Sequence, residues 1–262
     1  MEINSRAFDI MDWNIYGCAR KIVPNLEVTI DVSCRLLNQV QKQLQGTTGI
    51  KVQILLANYR KLPENSFPAP LNDAMTMFNY LVYDEQVVPK NIILAGDSAG
   101  GGLVLATLLR LRQAEREMPL AALCNCPYAD MSADVSVSDH CFISKSMLDA
   151  IRDFCIRTTP RAFWYEGVML QTDLRGLPAL FIQAAEFDIL HHQSLQLAEN
   201  ARADGVQVEL DINNHMPHVF TLFPHFMMPQ SSRGIQNFAA FITHQVMTHR
   251  LPVQIPQMAC AF

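Results

Sequence analysis

Asn91-Ile92-Ile93-Leu94-Ala95-Gly96-Asp97-Ser98-Ala99-Gly100-Gly101 runs directly into Gly102-Leu103-Val104-Leu105-Ala106-Thr107-Leu108-Leu109-Arg110. The opening apolar residues have the length of a short buried strand, and the closing ones read as a buried helix. Between them stands Gly-x-Ser-x-Gly. A turn this sharp leaves room only for small residues beside its apex. It lifts the Ser98 hydroxyl above the sheet edge, with a helix N-terminus behind it. The short pattern is common by chance, and an ordinary glycine-rich turn is the competing reading. The strand–turn–helix setting favours an active-site elbow.

Outward from this unit, strand and helix patterns alternate. Ser33 to Gln45 reads as a helix that stops at Gly46, and Val52 to Ala57 as a strand. Pro70 suits the start of a helix, and Leu71, Ala74, Met75, Phe78, Leu81 and Val82 follow at helical spacing. Beyond the elbow, Leu120 to Cys124 is a strand, as are Leu180 to Ala184 and Val206 to Ile212. A closing helix carries Ile235, Phe238, Ala239, Ile242 and Val246 on one face. The stretch from Ser132 to Leu177 is irregular apart from a helical run near Leu148 to Thr158, which suits a lid or cap. No repeat or linker divides the chain. The expectation is an α/β fold over residues 1–262, with a mostly parallel sheet flanked by helices.

The chain of 262 residues is 50% hydrophobic and 17% charged, with a net charge of −5, which is a globular composition. Basic residues cluster no further than pairs such as Arg20-Lys21 and Arg60-Lys61, so a nucleic-acid surface is not expected. No apolar stretch reaches the length of a membrane span. Glu2, Arg6, Asp9 and Asp12 do not make a signal peptide. Seven cysteines without framework spacing point to reduced thiols and a cytoplasmic location. Cys124-x-Cys126 is too tight for a zinc knuckle and reads as two buried thiols at a strand end. Neither a metal nor a cofactor is expected.

A serine hydroxyl needs a base, and the base needs an orienting carboxylate. In α/β-hydrolases the chain order is Ser, Asp or Glu, then His. The acid should follow the penultimate strand and the histidine the last. Asp188 and His218 occupy those places, at carboxyl ends of strands on the same edge as Ser98. Glu186 is the rival acid and His215 the rival base. His191 and His192 open the next helix and should face solvent. His215, His218 and His225 could be read as a metal cluster, but no carboxylate or cysteine spacing accompanies them. Asp97 should bond to local backbone.

Several co-ordered segments give the chain a more specific resemblance. Tyr59-Arg60-Lys61-Leu62-Pro63-Glu64, then Phe67-Pro68-Ala69-Pro70 with Asp73 in the helix that follows, precede Gly96-Asp97-Ser98-Ala99-Gly100-Gly101. Ala185-Glu186-Phe187-Asp188 and Met216-Pro217-His218-Val219-Phe220 come after it. Together they resemble the hormone-sensitive-lipase-like esterases, over roughly Cys34 to Val246. The resemblance implies an α/β-hydrolase fold with a small helical cap, acting on a small-molecule carboxylic ester without a cofactor. By the same motifs it implies Ser98 as nucleophile, His218 as general base and acid, Asp188 as its orienter, and Ala99 as an oxyanion-hole N–H. A homodimer is compatible with it.

One family motif is absent. The His-Gly-Gly-Gly loop belongs upstream of the elbow, yet the first histidine is His140 and no glycine lies between Gly17 and Gly46. Its place falls near Cys18-Ala19-Arg20-Lys21-Ile22, and the N-terminal strands are expected to be reduced. Cys126-Pro127-Tyr128-Ala129-Asp130 also replaces a Ser-Pro-Trp-x-Asp-like segment, and His215 a glycine. Losing one oxyanion donor typically costs about 10²–10³ in turnover. Three readings therefore stand: an ester hydrolase of reduced power, a non-catalytic protein that keeps the pocket for a ligand or partner, and a truncated family member.

Overall fold

The computed structural model describes residues 7–13, 38–40, 42, 51–133, 135, 138–160 and 169–250. Six strands form one sheet: β1 (Ala7–Trp13), β2 (Lys51–Ala57), β3 (Ile92–Asp97), β4 (Ala121–Asn125), β5 (Ala179–Ala185) and β6 (Val208–Asn213). Their order is β2-β1-β3-β4-β5-β6, and every pairing is parallel. The helices are α1 (Ala69–Asn79), α2 (Ala99–Gln113), α3 (Lys145–Thr158), α4 (His191–Ala203) and α5 (Gln230–Arg250). A π-helical turn, Tyr80–Asp84, extends α1 and carries its apolar stripe on to Leu81.

The burial pattern follows from this layering. Parallel strands need crossovers, and the crossover helices cover both faces of the sheet. β3 and β4 are consequently buried at every position. β6 lies at the sheet edge and is only partly covered. On one face Leu71, Ala74 and Phe78 of α1 meet Leu94, Ile182 and the inner side of α2. On the other, Ile235, Phe238 and Ile242 of α5 close over Ile93, Leu123 and Phe181. Each fully buried side chain of this size contributes about 1.5–3 kcal/mol. α2 is buried along most of its length and α3 on one stripe only, through Leu148 and Cys155. Ser144 caps α3 by accepting the Met147 N–H at 3.2 Å.

The expected strands, the helix that begins near Pro70, the helix after the elbow, the helical run near Leu148 to Thr158 and the closing helix are present among the described residues, with ends shifted by a few positions. Residues 38–40 and 42 are helical, and the rest of the expected Ser33–Gln45 helix lies outside the described residues. β1 was not anticipated. It runs through the sheet interior, hydrogen-bonded to β2 on one side and β3 on the other. The N-terminal part of the chain therefore supplies an internal strand. No helix among the described residues is long and apolar enough to cross a membrane.

Candidate active site

The register aligns the strand ends at one edge. Asp97 pairs with Asn125, Asn125 with Gln183, and Ala185 with Asn213. Ser98, Cys126, Glu186 and the loop after Asn213 all leave the sheet from that edge, outside the carboxyl ends of the strands.

Ser98 sits at the apex between β3 and α2 with φ 53° and ψ −117°, a conformation that non-glycine residues avoid. Its N–H donates to the Asn125 carbonyl at 2.8 Å, and its own carbonyl accepts from Tyr128 at 2.9 Å and Gly102 at 3.1 Å. These bonds hold the strained turn in place. A side chain at Gly96 would run into the Gly100 carbonyl, so the crossing of strand and helix requires glycine there. Ser98 is 7% exposed. Ala99 opens α2, and the first amides of a helix have no intrahelical acceptor.

The acid and histidine loops are joined to each other. Glu186 N–H donates to Asn213 O at 3.0 Å, and Phe187 N–H to Met216 O at 3.0 Å. The Glu186 carboxylate accepts the His215 N–H at 2.7 Å and lies 3.9 Å from the His215 ring. Both of those side chains are substantially exposed. Asp188 and His218 are not: their side chains are 0% and 1% exposed. His218 Nδ1 lies 2.9 Å from Asp188 Oδ1, which also accepts the Leu190 N–H at 3.0 Å. The carboxylate beside His218 is thus Asp188, and Glu186 belongs with His215. Neither ring nitrogen of His218 makes an aligned hydrogen bond, so the bond from Ser98 to Nε2 is not formed here. Such bonds commonly tighten only with substrate bound. The Phe142 ring stands edge-on to His218 at 5.9 Å.

The other histidines do not converge on a metal. His225 pairs with Ser232 at 3.0 Å, and His215 turns to Glu186. His192 is exposed, as expected. His191 is half-buried, with Nδ1 3.0 Å from the Ala185 carbonyl, because the first turn of α4 lies over the end of β5. Asp97 accepts from the Asn125 side chain at 2.7 Å, a partner on the next strand. The site expected for the missing glycine loop, Cys18 to Ile22, lies outside the described residues.

Two side chains of the site were not singled out for it from sequence. Asn125 Nδ2 donates to Asp97 Oδ1 at 2.7 Å and to Thr221 Oγ1 at 2.9 Å, linking the elbow strand to the turn after His218. Its signal was a polar residue ending the apolar run Ala121–Cys124. Cys126 is buried at φ 46°, and its sulfur accepts the Val219 N–H at 3.4 Å. Burial first, and then the nearby Asp188 carboxylate, push its thiol well above the usual range. Burial alone pushes the Cys124 thiol up to about 12. Val219 itself has φ 45°, so positive-φ residues gather around the site at Ser98, Cys126, His215 and Val219.

Beside Ala99 opens an apolar cavity of about 120 Å³. Tyr59 and Phe67 wall one side, Leu103 and Ala106 of α2 its floor, and Ile151 and Cys155 of α3 another side.

A parallel sheet with a strained serine turn at its carboxyl edge, and a buried Asp–His pair on the next loops, defines an α/β-hydrolase architecture. Residues 38–222 match the family described as alpha/beta hydrolase fold, and the chain belongs to that family. Within it the likeness is to the hormone-sensitive-lipase-like branch. A bacterial esterase of the hormone-sensitive lipase family, known from its crystal structure, superposes with a TM-score of 0.75 at 26% identity, covering 93% of this chain and 77% of that one. An acetyl-hydrolase from Streptomyces hygroscopicus is 32% identical over 195 residues, 72% of this chain and 64% of its own length. An esterase from Acinetobacter venetianus is 26% identical over 207 residues, 74% of this chain and 65% of its own. The chain therefore spans a little under two thirds of the length of these two relatives.

Proposed function

We propose that the protein hydrolyses carboxylic esters of small, apolar acyl groups through an acyl-enzyme on Ser98. The observation that carries the reading is the buried His218–Asp188 pair at 2.9 Å, on the sheet edge from which Ser98 is raised. A solvent-excluded carboxylate fixes the imidazole tautomer and supports the imidazolium that forms during reaction. Ser98 Oγ attacks the acyl carbon while its proton passes to His218 Nε2, and the carbonyl electrons move onto oxygen. The Ala99 N–H, at the helix N-terminus, donates to that oxyanion. Collapse expels the alcohol, which takes the proton from His218. Water then repeats the sequence, releasing the carboxylic acid and restoring Ser98.

The cavity beside Ala99 supports the substrate side of the proposal. Its walls are almost wholly apolar and its size suits a short acyl chain. The relatives named esterase and acetyl-hydrolase agree with this class. A second reading, a binding protein without turnover, is favoured by the absent His-Gly-Gly-Gly sequence and the unformed bond at His218 Nε2. Labelling with a fluorophosphonate separates them. An activated serine labels in the native chain and not in Ser98→Ala. A folded chain that resists the probe would sink the esterase reading and leave the binding one.

A further inference from the structure

Cys126, Asp188 and His218 bring a sulfur, a carboxylate oxygen and a ring nitrogen within 4.8 Å of one another. We propose that this cluster binds a borderline-soft divalent cation of the zinc type, and that binding it and using His218 as a base are mutually exclusive.

The donor set carries the first part of the argument. Thiolate, imidazole and carboxylate are the ligands zinc takes, at about 2.0–2.3 Å. Ligands of a tetrahedral centre then stand roughly 3.3–3.8 Å apart, so the cluster must draw in by about an ångström at its widest. The near pair, His218 and Asp188 at 2.9 Å, opens slightly.

The second part is that these donors hold unused lone pairs in a buried place. Asp188 Oδ2 and both His218 nitrogens are buried without an aligned hydrogen-bond partner, and a neutral imidazole has a free lone pair on one of its two nitrogens. Unpaired buried polar atoms are costly, and a cation would satisfy several of them together.

Charge balance is the third. A dication, the Asp188 carboxylate, a Cys126 thiolate and a neutral imidazole sum to zero, so no net charge is buried. Without the cation, a thiol is protonated at neutral pH. Binding breaks the S–H bond, forms a metal–sulfur bond and releases one proton to solvent, with no change in oxidation state. The Val219 N–H at 3.4 Å from the sulfur is already placed to support the thiolate.

Access comes from one segment. Cys141 Sγ lies 4.0 Å from Asp188 Oδ1 and is half-exposed, and Phe142 beside His218 is 48% exposed. A cation entering there meets a thiol before the buried donors. Whichever nitrogen of His218 it takes, the base is lost: Nδ1 coordination displaces Asp188, and Nε2 coordination occupies the lone pair that would accept the serine proton.

Titration of the full chain with cadmium ion tests this through the thiolate-to-metal charge-transfer band. One equivalent should produce the band and release one proton, and zinc ion should compete the band away. Cys126→Ser should abolish the first-equivalent band, and His218→Ala should weaken cadmium binding by about 10–100-fold. Ser98→Ala should bind as the wild type does. No band in the wild type overturns the proposal, and so does a band that survives unchanged in Cys126→Ser. Should that variant fail to fold, an undiminished affinity in His218→Ala overturns it. The titration reads binding and not turnover, so it stands even if fluorophosphonate labelling fails. Where the chain does label, zinc ion should block labelling reversibly.

Discussion

Two carboxylates stand two positions apart in sequence and face opposite environments. The difference between them yields a sharp contrast. Asp188 is enclosed with His218, whereas Glu186 serves an exposed backbone N–H. Asp188→Asn should lower ester hydrolysis by about 10⁴-fold, since an amide in its place holds the wrong imidazole tautomer. Glu186→Gln should leave turnover within a few-fold. Steady-state rates on one activated ester decide both. Asn125 has a structural weight of its own, joining Asp97 to Thr221 in a dry place. Asn125→Ala should cost about 1–3 kcal/mol, read from urea midpoints, because it removes two buried hydrogen bonds, one of them to a carboxylate. At this scale, the places of Ser98, Asp188 and His218 at the sheet edge were legible because strand order dictates where each falls. Asn125 and Cys126 were not, since their roles arise from neighbours that are remote in sequence: Thr221, Val219 and Asp188.

At the scale of the element, two ties position what the strands and helices carry. Gln193 on α4 accepts the Ala129 and Asp130 N–H groups at 3.1 and 3.0 Å and donates to the Asp130 carbonyl at 2.9 Å. It fixes the segment after β4 that shapes the cavity. Gln193→Ala should destabilise the fold by about 2–3 kcal/mol, because it leaves buried backbone groups without partners. The other tie is Arg60, whose backbone N–H and guanidinium grip Asp73 of α1 at 2.7–3.1 Å. The side-chain hydrogen bonds from Arg60 hold the Asp73 carboxyl below its ordinary value. A lowered carboxyl stabilises the fold above its unfolded pKa of about 4 and loses that contribution as pH falls through the folded value. Asp73→Asn should therefore lower the urea midpoint at pH 6, and the gap to wild type should close as the pH falls below the ordinary carboxylate range. Elements with a local period were readable, from the stripe of α1 to the apolar runs of β3, β4 and β5. β1 was not. Asp9 and Asp12 interrupt its apolar run, and its place between β2 and β3 is set by pairing across the chain, for which parallel strands carry no local turn signal.

Across the whole molecule, the cavity is where distant parts of the chain meet. Tyr59 and Phe67 come from the segment before α1, Leu103 and Ala106 from α2, and Ile151 from α3, the helix of the cap-like excursion. No single element makes the pocket, so its depth could not be read from any one stretch of sequence. If the acyl chain of the substrate lies there, blocking the cavity should cost most for long chains. Ile151 is half-buried on the amphipathic α3 and outside the proposed Ser98–His218–Asp188 constellation, so an enlarged side chain there fills the cavity with little strain on the sheet. Ile151→Trp should leave kcat/KM for an acetyl ester nearly unchanged and reduce that for a hexanoyl ester by about 10–200-fold, the scale of discrimination available to an apolar pocket. The pair of p-nitrophenyl esters, assayed on wild type and variant, gives the ratio directly. A parallel fall on both esters would mean that α3 acts on the proposed triad itself. An unchanged ratio would move the acyl chain out of this cavity, and the alcohol portion of the ester would then be the group it accommodates.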